Sequence, residues 1–294
     1  MSDYNSTHTR ALWDHHVDLT QLKDMSRHIW GPASESAMRD WEPNQLTLSK
    51  YQQNIVDHQI ALTGKRVLDL GCGNGLWSYV CARHGAKYVV GVEPRGMFVN
   101  GLNEFAQEHS LPMEFHRGYD TDLARLVRQH NIDTVVMISI DDMINWEQTL
   151  YEIRKSNVEW VIMQMSTMPD NWIEFSPELY EFAKSGKGMP VGFTLHYDSG
   201  NTTTKSGINP LHKDTMDPET GYQHMSPDGQ LDISRTHVFQ NKMSRQYVRR
   251  FIDHTGMTVE SSEIQKVAAT DTDTAEKSAK YLLNQQYLLR NLKN

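Results

Sequence analysis

The stretch Val67-Leu-Asp-Leu-Gly-Cys-Gly-Asn-Gly75 (VLDLGCGNG) decides the fold of this chain. An apolar run leads through Asp69 into a turn with a glycine at every second position, and a helix-like stretch begins at Leu76. This order predicts a buried strand, a tight turn and a helix N-terminus, the βα unit that holds a nucleotide-like ligand. Glycines can take positive φ and bring backbone N–H groups close to a ligand, and the helix start adds unpaired donors.

Two details of this unit narrow the class of ligand that it can bind. The turn reads G-x-G-x-G, whereas dinucleotide-binding turns read G-x-G-x-x-G. Asp69, two residues before the first glycine, suits a cationic amino-acid group better than a pyrophosphate. Downstream, YVVGVEP (Tyr88–Pro94) predicts a second apolar strand that ends in Glu93, whose carboxylate can accept both hydroxyls of a ribose.

The two stretches together resemble motifs I and II of the class I S-adenosylmethionine (SAM) dependent methyltransferases. The resemblance implies an α/β fold with a doubly wound, mostly parallel seven-stranded sheet. It also implies SAM as the cofactor and methyl transfer as the reaction. The alternatives are a Rossmann domain for another nucleotide, such as a nicotinamide oxidoreductase, and a domain of this fold without activity.

The resemblance assigns roles to individual residues. The implied cofactor-binding set is Asp69, Gly71, Cys72, Gly73, Asn74, Gly75, Glu93, Pro94, Asp120, Ser139 and Ile140. Asp69 would face the cofactor's ammonium, the glycines its amino-acid end and Glu93 its ribose. Asp120 is expected at the adenine, although Tyr119 interrupts the family's glycine–acid step, and helix capping explains the nearby Asp122 equally well.

The fourth predicted strand ends in MISIDDM, residues 137–143. In the family, this strand end lies beside the transferable methyl group. Ser139 and Ile140 would contact SAM through their backbone, and Asp141 or Asp142 could remove a proton from an alcohol or amine acceptor. The alternative is a loop acid that caps the next helix. Because SAM supplies the reactivity, no catalytic side chain is obligatory.

Strands and helices alternate regularly through the middle of the chain, which predicts a parallel sheet covered on both faces. The predicted strands are 66–70, 88–93, 113–117, 133–140, 158–165, 257–264 and 281–290; the predicted helices are 12–29, 48–62, 76–84, 97–109, 123–130, 146–155 and 243–255. We expect an N-terminal helical extension over 1–63 and a SAM-binding domain over 64–294. Within that domain, the irregular, aromatic-containing stretch 166–240 is expected to be an inserted substrate lid.

The composition and charge of the chain indicate which partners and which cellular compartment to expect. The formal net charge of −8 over 294 residues argues against a nucleic-acid partner. Arg245, Arg249 and Arg250 cluster on one predicted helix and are interpreted as an exposed face. No apolar run is long enough for a membrane helix, and the first residues lack a secretory apolar region. Two cysteines beside the glycine turn indicate a reducing, cytoplasmic setting. The sequence sets no oligomeric state.

Histidine patterns raise a metal alternative. His196 with Asp198, and His212 with Asp214, both read H-x-D, and a distant third histidine such as His237 would complete an iron facial triad. That triad normally lies on a β-barrel, which this pattern does not predict, so we expect no metal. A serine hydrolase is disfavoured because no G-x-S-x-G elbow is present.

The sequence therefore predicts a methyltransferase for a small-molecule acceptor, with transfer to oxygen or nitrogen. Two alternatives stay open. The stretch GVEPRGMFVNGLNEF (Gly91–Phe105) is somewhat similar to tRNA wobble-uridine methyl- or carboxymethyl-transferring enzymes. A SAM-binding regulatory protein without catalysis would show the same motifs.

Overall fold

The computed structural model describes residues 19–30, 58–138, 140, 144–168, 192–198, 237–265 and 283–292. Several predictions lie outside the described residues. They concern the cofactor contact Ser139, the candidate catalytic acids Asp141 and Asp142, and the N-terminal extension apart from 19–30 and 58–63. They also include most of the inserted stretch 166–240 and the second H-x-D pair.

The described residues alternate between strands and helices, as the sequence predicts. The helices are α1 (Leu19–Trp30), α2 (Gln59–Leu62), α3 (Leu76–Arg83), α4 (Gly96–Glu108), α5 (Leu123–His130), α6 (Trp146–Lys155) and α7 (Arg245–Thr255). The strands are β1 (Arg66–Leu70), β2 (Tyr88–Glu93), β3 (Met113–Arg117), β4 (Thr134–Ile138), β5 (Trp160–Met168), β6 (Gly192–Asp198), β7 (His237–Ser244), β8 (Thr258–Gln265) and β9 (Leu283–Arg290).

Seven of the described strands form the expected doubly wound sheet. The order is β3-β2-β1-β4-β5, followed by β9 on β5 and β8 on β9. β1 pairs in parallel with β2 and β4, β2 pairs in parallel with β3, and β8 pairs antiparallel with β9. This confirms the predicted fold class.

The inserted stretch adds two strands to those seven. β6 and β7 pair antiparallel, and β7 joins β5 in parallel through the pairs Thr167–Met243 and Met168–Ser244. The last predicted helix was placed too early, because residues 243 and 244 belong to β7 and α7 begins at Arg245. The β6–β7 pairing also sets Asp198 opposite His237, with His196 two residues along β6.

The described residues fall into two compact units. The first holds the described residues up to Val136 together with Ser156–Ile162. It has an apolar core because the strands β1 and β2 are buried over nearly their whole length. Helix α1 packs on α4, where the two backbones approach so closely that a Cβ on Gly101 would lie 2.4 Å from the carbonyl oxygen of His28.

The second unit holds residues 137–155 and the described residues from Met163 onward, apart from a short masked stretch. Helices α6 and α7 contact each other through aromatic rings, and the Trp146 and Phe251 ring centroids lie 5.0 Å apart in an edge-to-face arrangement. Arg154 on α6 donates to the carbonyl of Thr255 at 3.2 Å and to Oδ1 of Asn291 at 2.9 Å. These contacts attach the end of α7 and the end of β9 to one helix.

No helix in the described ranges has the length and apolar character that crossing a bilayer requires.

Candidate cofactor site

The glycine turn after β1 has the left-handed backbone that the motif predicts. Gly71, Gly73 and Gly75 have φ values of 72°, 55° and 80°, which side-chain-bearing residues rarely adopt. The turn is fixed to the neighbouring strand because the N–H groups of Gly71 and Cys72 both donate to the carbonyl of Val92, at 3.0 and 2.9 Å. The turn therefore lies at the carboxyl ends of β1 and β2, where doubly wound sheets bind ligands.

The third glycine is also required by packing. A Cβ on Gly75 would lie 2.5 Å from Cδ2 of Leu102 on α4. Gly75 is the residue before α3, and Asn74 accepts the N–H of Leu76 at 3.3 Å through its side-chain oxygen. The start of α3 is thus held against α4 by the turn that precedes it.

Glu93 lies directly beside this turn. Its side chain is only 4% exposed, and its Oε2 accepts the N–H of Gly73 at 3.0 Å. Its Oε1 accepts the backbone N–H of Arg95 at 3.2 Å and also pairs with Nε of the Arg95 side chain. A carboxylate has about four lone-pair sites, so Oε2 keeps acceptor capacity for a further donor such as a hydroxyl.

Arg95 follows β2 and lines the same turn. Its guanidinium carbon lies 3.9 Å from the ring centroid of Phe98, and its Nη2 would be 3.8 Å from a Cβ placed on Gly73. Arg95 is thus paired with Glu93 and stacked on Phe98.

Asp69 is almost fully buried, with 1% exposure, at the carboxyl-terminal part of β1. Its Oδ2 accepts the hydroxyl of Ser78 at 2.7 Å. Burial raises the pKa of Asp69 to about 7, the hydrogen bonds from Ser78 oppose that rise, and the nearby negative charge of Glu93 adds to it. Asp69 therefore changes protonation state near neutral pH.

Ser78 was not predicted as a site residue. It lies on α3, is fully buried, and is the hydrogen-bond donor to Asp69. The sequence signal that identifies Ser78 is a small hydroxyl residue three positions past the last glycine. It lies on the helix that packs over Asp69.

Cys72 and Pro94 also line the turn and the end of β2. Cys72 is a free, buried thiol whose pKa is raised well above its ordinary value by burial. Its sulfur would lie 2.9 Å from a Cβ on Gly91, so it packs against β2. The carbonyl of Pro94 accepts Nε of Arg117 at 3.1 Å. For both residues, a cofactor contact stays a prediction.

The turn after β3 carries two acids, Asp120 and Asp122, with different hydrogen-bond partners. Asp122 accepts the N–H of Tyr119 at 3.0 Å and a guanidinium N–H of Arg125 at 3.0 Å, and the first of these bonds lowers the pKa of Asp122. Asp122 thus closes the capping box of a short 3-10 helix, Asp120–Asp122, and its side chain makes no capping hydrogen bond to α5, the helix it was expected to cap. Asp120 accepts the N–H of Thr121 at 3.0 Å and is partly exposed, and its adenine role stays a prediction.

Of the predicted residues at the end of β4, Ile140 is described and is 5% exposed. Its predicted backbone contact with the cofactor is untested.

The residues at the turn fit SAM by their chemistry. The ribose diol needs a carboxylate acceptor, which Glu93 provides within reach of the glycine turn. The amino-acid end needs backbone donors and a negative charge, which the turn, the start of α3 and Asp69 provide. These groups lie in the first compact unit.

Several known proteins that are similar to this chain are methyltransferases. Residues 67–156 match the family described as methyltransferase domain. The chain is 31% identical over 98 residues to a ubiquinone biosynthesis O-methyltransferase of Coxiella burnetii, a match that covers 33% of this chain and 39% of that protein. It is 32% identical over 100 residues to protein arginine N-methyltransferase 1 of Saccharomyces cerevisiae, covering 33% of this chain and 27% of that protein.

The structural similarity covers more of the chain than the sequence matches do. A geranyl diphosphate methyltransferase solved in complex with SAM superposes with a TM-score of 0.55 at 9% identity, over 89% of this chain and 91% of that chain. The sequence matches, by contrast, span well under half the length of the curated relatives. Residues 67–156 thus match methyltransferase domains in sequence, and the fold is that of a methyltransferase solved with SAM.

Proposed function

We propose that the chain is a SAM-dependent methyltransferase that transfers a methyl group to oxygen or nitrogen of a small-molecule acceptor. The observation that carries the proposal is Glu93. This carboxylate is nearly buried, bonded to Gly73 of the glycine turn, and retains acceptor capacity. Arg95 occupies Oε1, and the remaining acceptor capacity of Oε2 suits a ligand hydroxyl.

The residues around the turn have separate tasks in the proposed reaction. Glu93 binds the ribose hydroxyls, and the turn with the start of α3 binds the carboxylate of the amino-acid end through N–H groups. Asp69, once ionised, compensates the cofactor's ammonium. SAM supplies an activated methyl group, and the protein aligns the acceptor and excludes water.

One relative and the net charge support a small-molecule acceptor. The Coxiella burnetii relative is described as an O-methyltransferase of ubiquinone biosynthesis, and the net charge of −8 disfavours a nucleic-acid acceptor. The yeast relative is described as a protein arginine N-methyltransferase, so a protein acceptor is the second candidate. We place the enzyme in a reducing compartment, the cytoplasm, because Cys72 and Cys81 are buried free thiols.

A transfer assay tests the acceptor class. The purified chain is incubated with methyl-labelled SAM and, separately, with the small-molecule, protein and RNA fractions of a cell lysate. We expect label in the small-molecule fraction. Label in protein alone would move the acceptor to the second candidate, and label in RNA alone would favour the tRNA alternative. SAM binding without label in any fraction would favour the regulatory alternative.

The candidate acids Asp141 and Asp142 are tested in the same assay. A general base contributes about 10²–10⁴-fold in rate. Asp141→Asn and Asp142→Asn keep the size of the side chain and remove its charge. We expect one of the two variants to lose turnover by that factor while SAM affinity is kept. Full turnover in both would leave alignment as the source of the rate.

A further inference from the structure

A second cluster of ionisable side chains lies on the edge strand of the sheet. Glu114 and His116 are two residues apart on β3, so they share one face of the strand. His130 is the last residue of α5, and its Nδ1 lies 2.8 Å from Oε1 of Glu114. Nε2 of His116 lies 3.3 Å from that same oxygen. A carboxylate and two imidazoles, side chains that commonly bind metal ions, thus lie together around Oε1 of Glu114.

The ring nitrogens of this cluster are incompletely used. Nε2 of His116 and Nε2 of His130 are buried and have no hydrogen-bond partner among the described residues. The 3.3 Å contact between His116 and Glu114 therefore lacks hydrogen-bond geometry. Buried polar atoms normally have partners, so each unpaired nitrogen needs an explanation. Nε2 of His116 is an unpaired imidazole nitrogen that lies beside a carboxylate, an arrangement suited to a shared metal ion.

A second cluster in the same unit shows the contrast. Asp24, His28 and Glu108 also group three candidate ligands. There, however, Nδ1 of His28 is bonded to the Asp24 carbonyl at 3.0 Å and Nε2 to Glu108 at 3.0 Å. Both ring nitrogens are already satisfied, and there is one imidazole instead of two. This cluster is explained by helix docking alone.

We propose that Glu114, His116 and His130 form a binding site for a divalent zinc-like cation, separate from the cofactor site. Two imidazoles and one carboxylate match the ligand preference of Zn²⁺. The ligand atoms lie within 4.8 Å of one another. With ligands about 2.0–2.2 Å from zinc, binding requires the side chains to move together by roughly 1 Å.

The position of the site gives it a stabilising role. A bound cation would join the end of α5 to the exposed edge of the sheet, where β3 has no neighbour beyond it among the described strands. Glu114 and His116 are each 31% exposed, which leaves a fourth coordination position for water. Arg66 bonds the His130 carbonyl through its Nε, and its positive charge makes the site weaker than a closed structural zinc site.

The experiment uses the full chain without a histidine tag, freed of metal by chelation. Zn²⁺ is titrated by calorimetry, and melting is followed with and without Zn²⁺. His116→Gln and Glu114→Gln are compared with His28→Gln, which makes the same exchange in the contrasting cluster. We expect about one Zn²⁺ per chain, a melting temperature raised by the metal, and at least a tenfold loss of affinity in the two cluster variants only.

An NMR experiment on the unaltered chain needs no variant to fold. Zn²⁺ should shift the imidazole signals of His116 and His130 and leave those of His28 unchanged. Four results would overturn the proposal: no Zn²⁺ uptake, an affinity unchanged in both cluster variants, an equal loss in His28→Gln, or unshifted signals of His116 and His130.

Discussion

Binding of S-adenosylhomocysteine, the demethylated cofactor, should depend on pH through Asp69. The pKa of this carboxyl is raised to about 7 by burial, so it is largely protonated below neutral pH. The ligand's ammonium attracts the ionised form and gains little from the neutral form. Because the ligand selects the deprotonated state, affinity is fully present above the pKa and is lost as pH falls through it.

The size of the effect follows from that pKa. A group titrating near pH 7 is about 3% ionised at about pH 5.5 and about 75% ionised at about pH 7.5. Affinity should therefore change by about 25-fold over this interval, which is ~2 kcal/mol. Ser78 donates to the ionised form, so Ser78→Ala should move the midpoint to higher pH.

Calorimetric titration across this pH range measures the effect. Two controls isolate Asp69. In Asp69→Asn the affinity should be lower and independent of pH. Methylthioadenosine, which lacks the amino-acid group, should bind the unaltered chain with nearly constant affinity. A flat profile for S-adenosylhomocysteine in the unaltered chain, or an unchanged slope in Asp69→Asn, would refute the reasoning.

Two further predictions concern packing. Gly101→Ala should lower the free energy of unfolding by about 1–3 kcal/mol, because the new Cβ would approach the His28 carbonyl to 2.4 Å; chemical denaturation measures it, and an unchanged value would contradict the close approach. Gln164→Met should instead stabilise the chain by about 1 kcal/mol, because the Gln164 side chain is 2% exposed and neither polar atom has a partner among the described residues; a lower melting temperature would show that the amide is bonded.

The docking of α1 on α4 predicts a stability that decreases as pH rises. In the first prediction, by contrast, affinity decreases as pH falls. Burial alone would lower the pKa of His28, but its hydrogen bonds to the Asp24 carbonyl and to Glu108 raise it above the ordinary value. The stability that the protonated His28 contributes through these hydrogen bonds is therefore fully present below about pH 6.5. It is lost as pH rises through the raised pKa of His28. Thermal melts across this range should show it, and His28→Gln should remove it; an identical pH profile in the variant would contradict it.

The sequence predicted the central strands well for a physical reason. The predicted bounds of β1, β2 and β3 agree with the structure, because short apolar runs bounded by glycine or polar turns specify buried strands locally. The glycine turn was equally readable, since positive φ at alternate positions restricts the residue type to glycine.

Other features depend on partners distant in the chain. The antiparallel β6–β7 pairing joins residues 192–198 to 237–243, and no local pattern specifies that register. The same pairing turns residues 243 and 244 into strand, although their spacing fits a helix. Ser78 belongs to the site only because α3 folds back over Asp69.

Calorimetric titration of S-adenosylhomocysteine into Glu93→Ala tests the central claim most directly. The control is Glu159→Ala, which removes an acid that pairs with Lys65 at 2.8 Å, away from the glycine turn. We predict one binding site in the unaltered chain and in the control, and a loss of about 1.5–3 kcal/mol in Glu93→Ala, because the charge-assisted hydrogen bond from the ribose to Oε2 disappears. Equal affinity in Glu93→Ala and the unaltered chain, with both folded by circular dichroism, would contradict the assignment of the cofactor site.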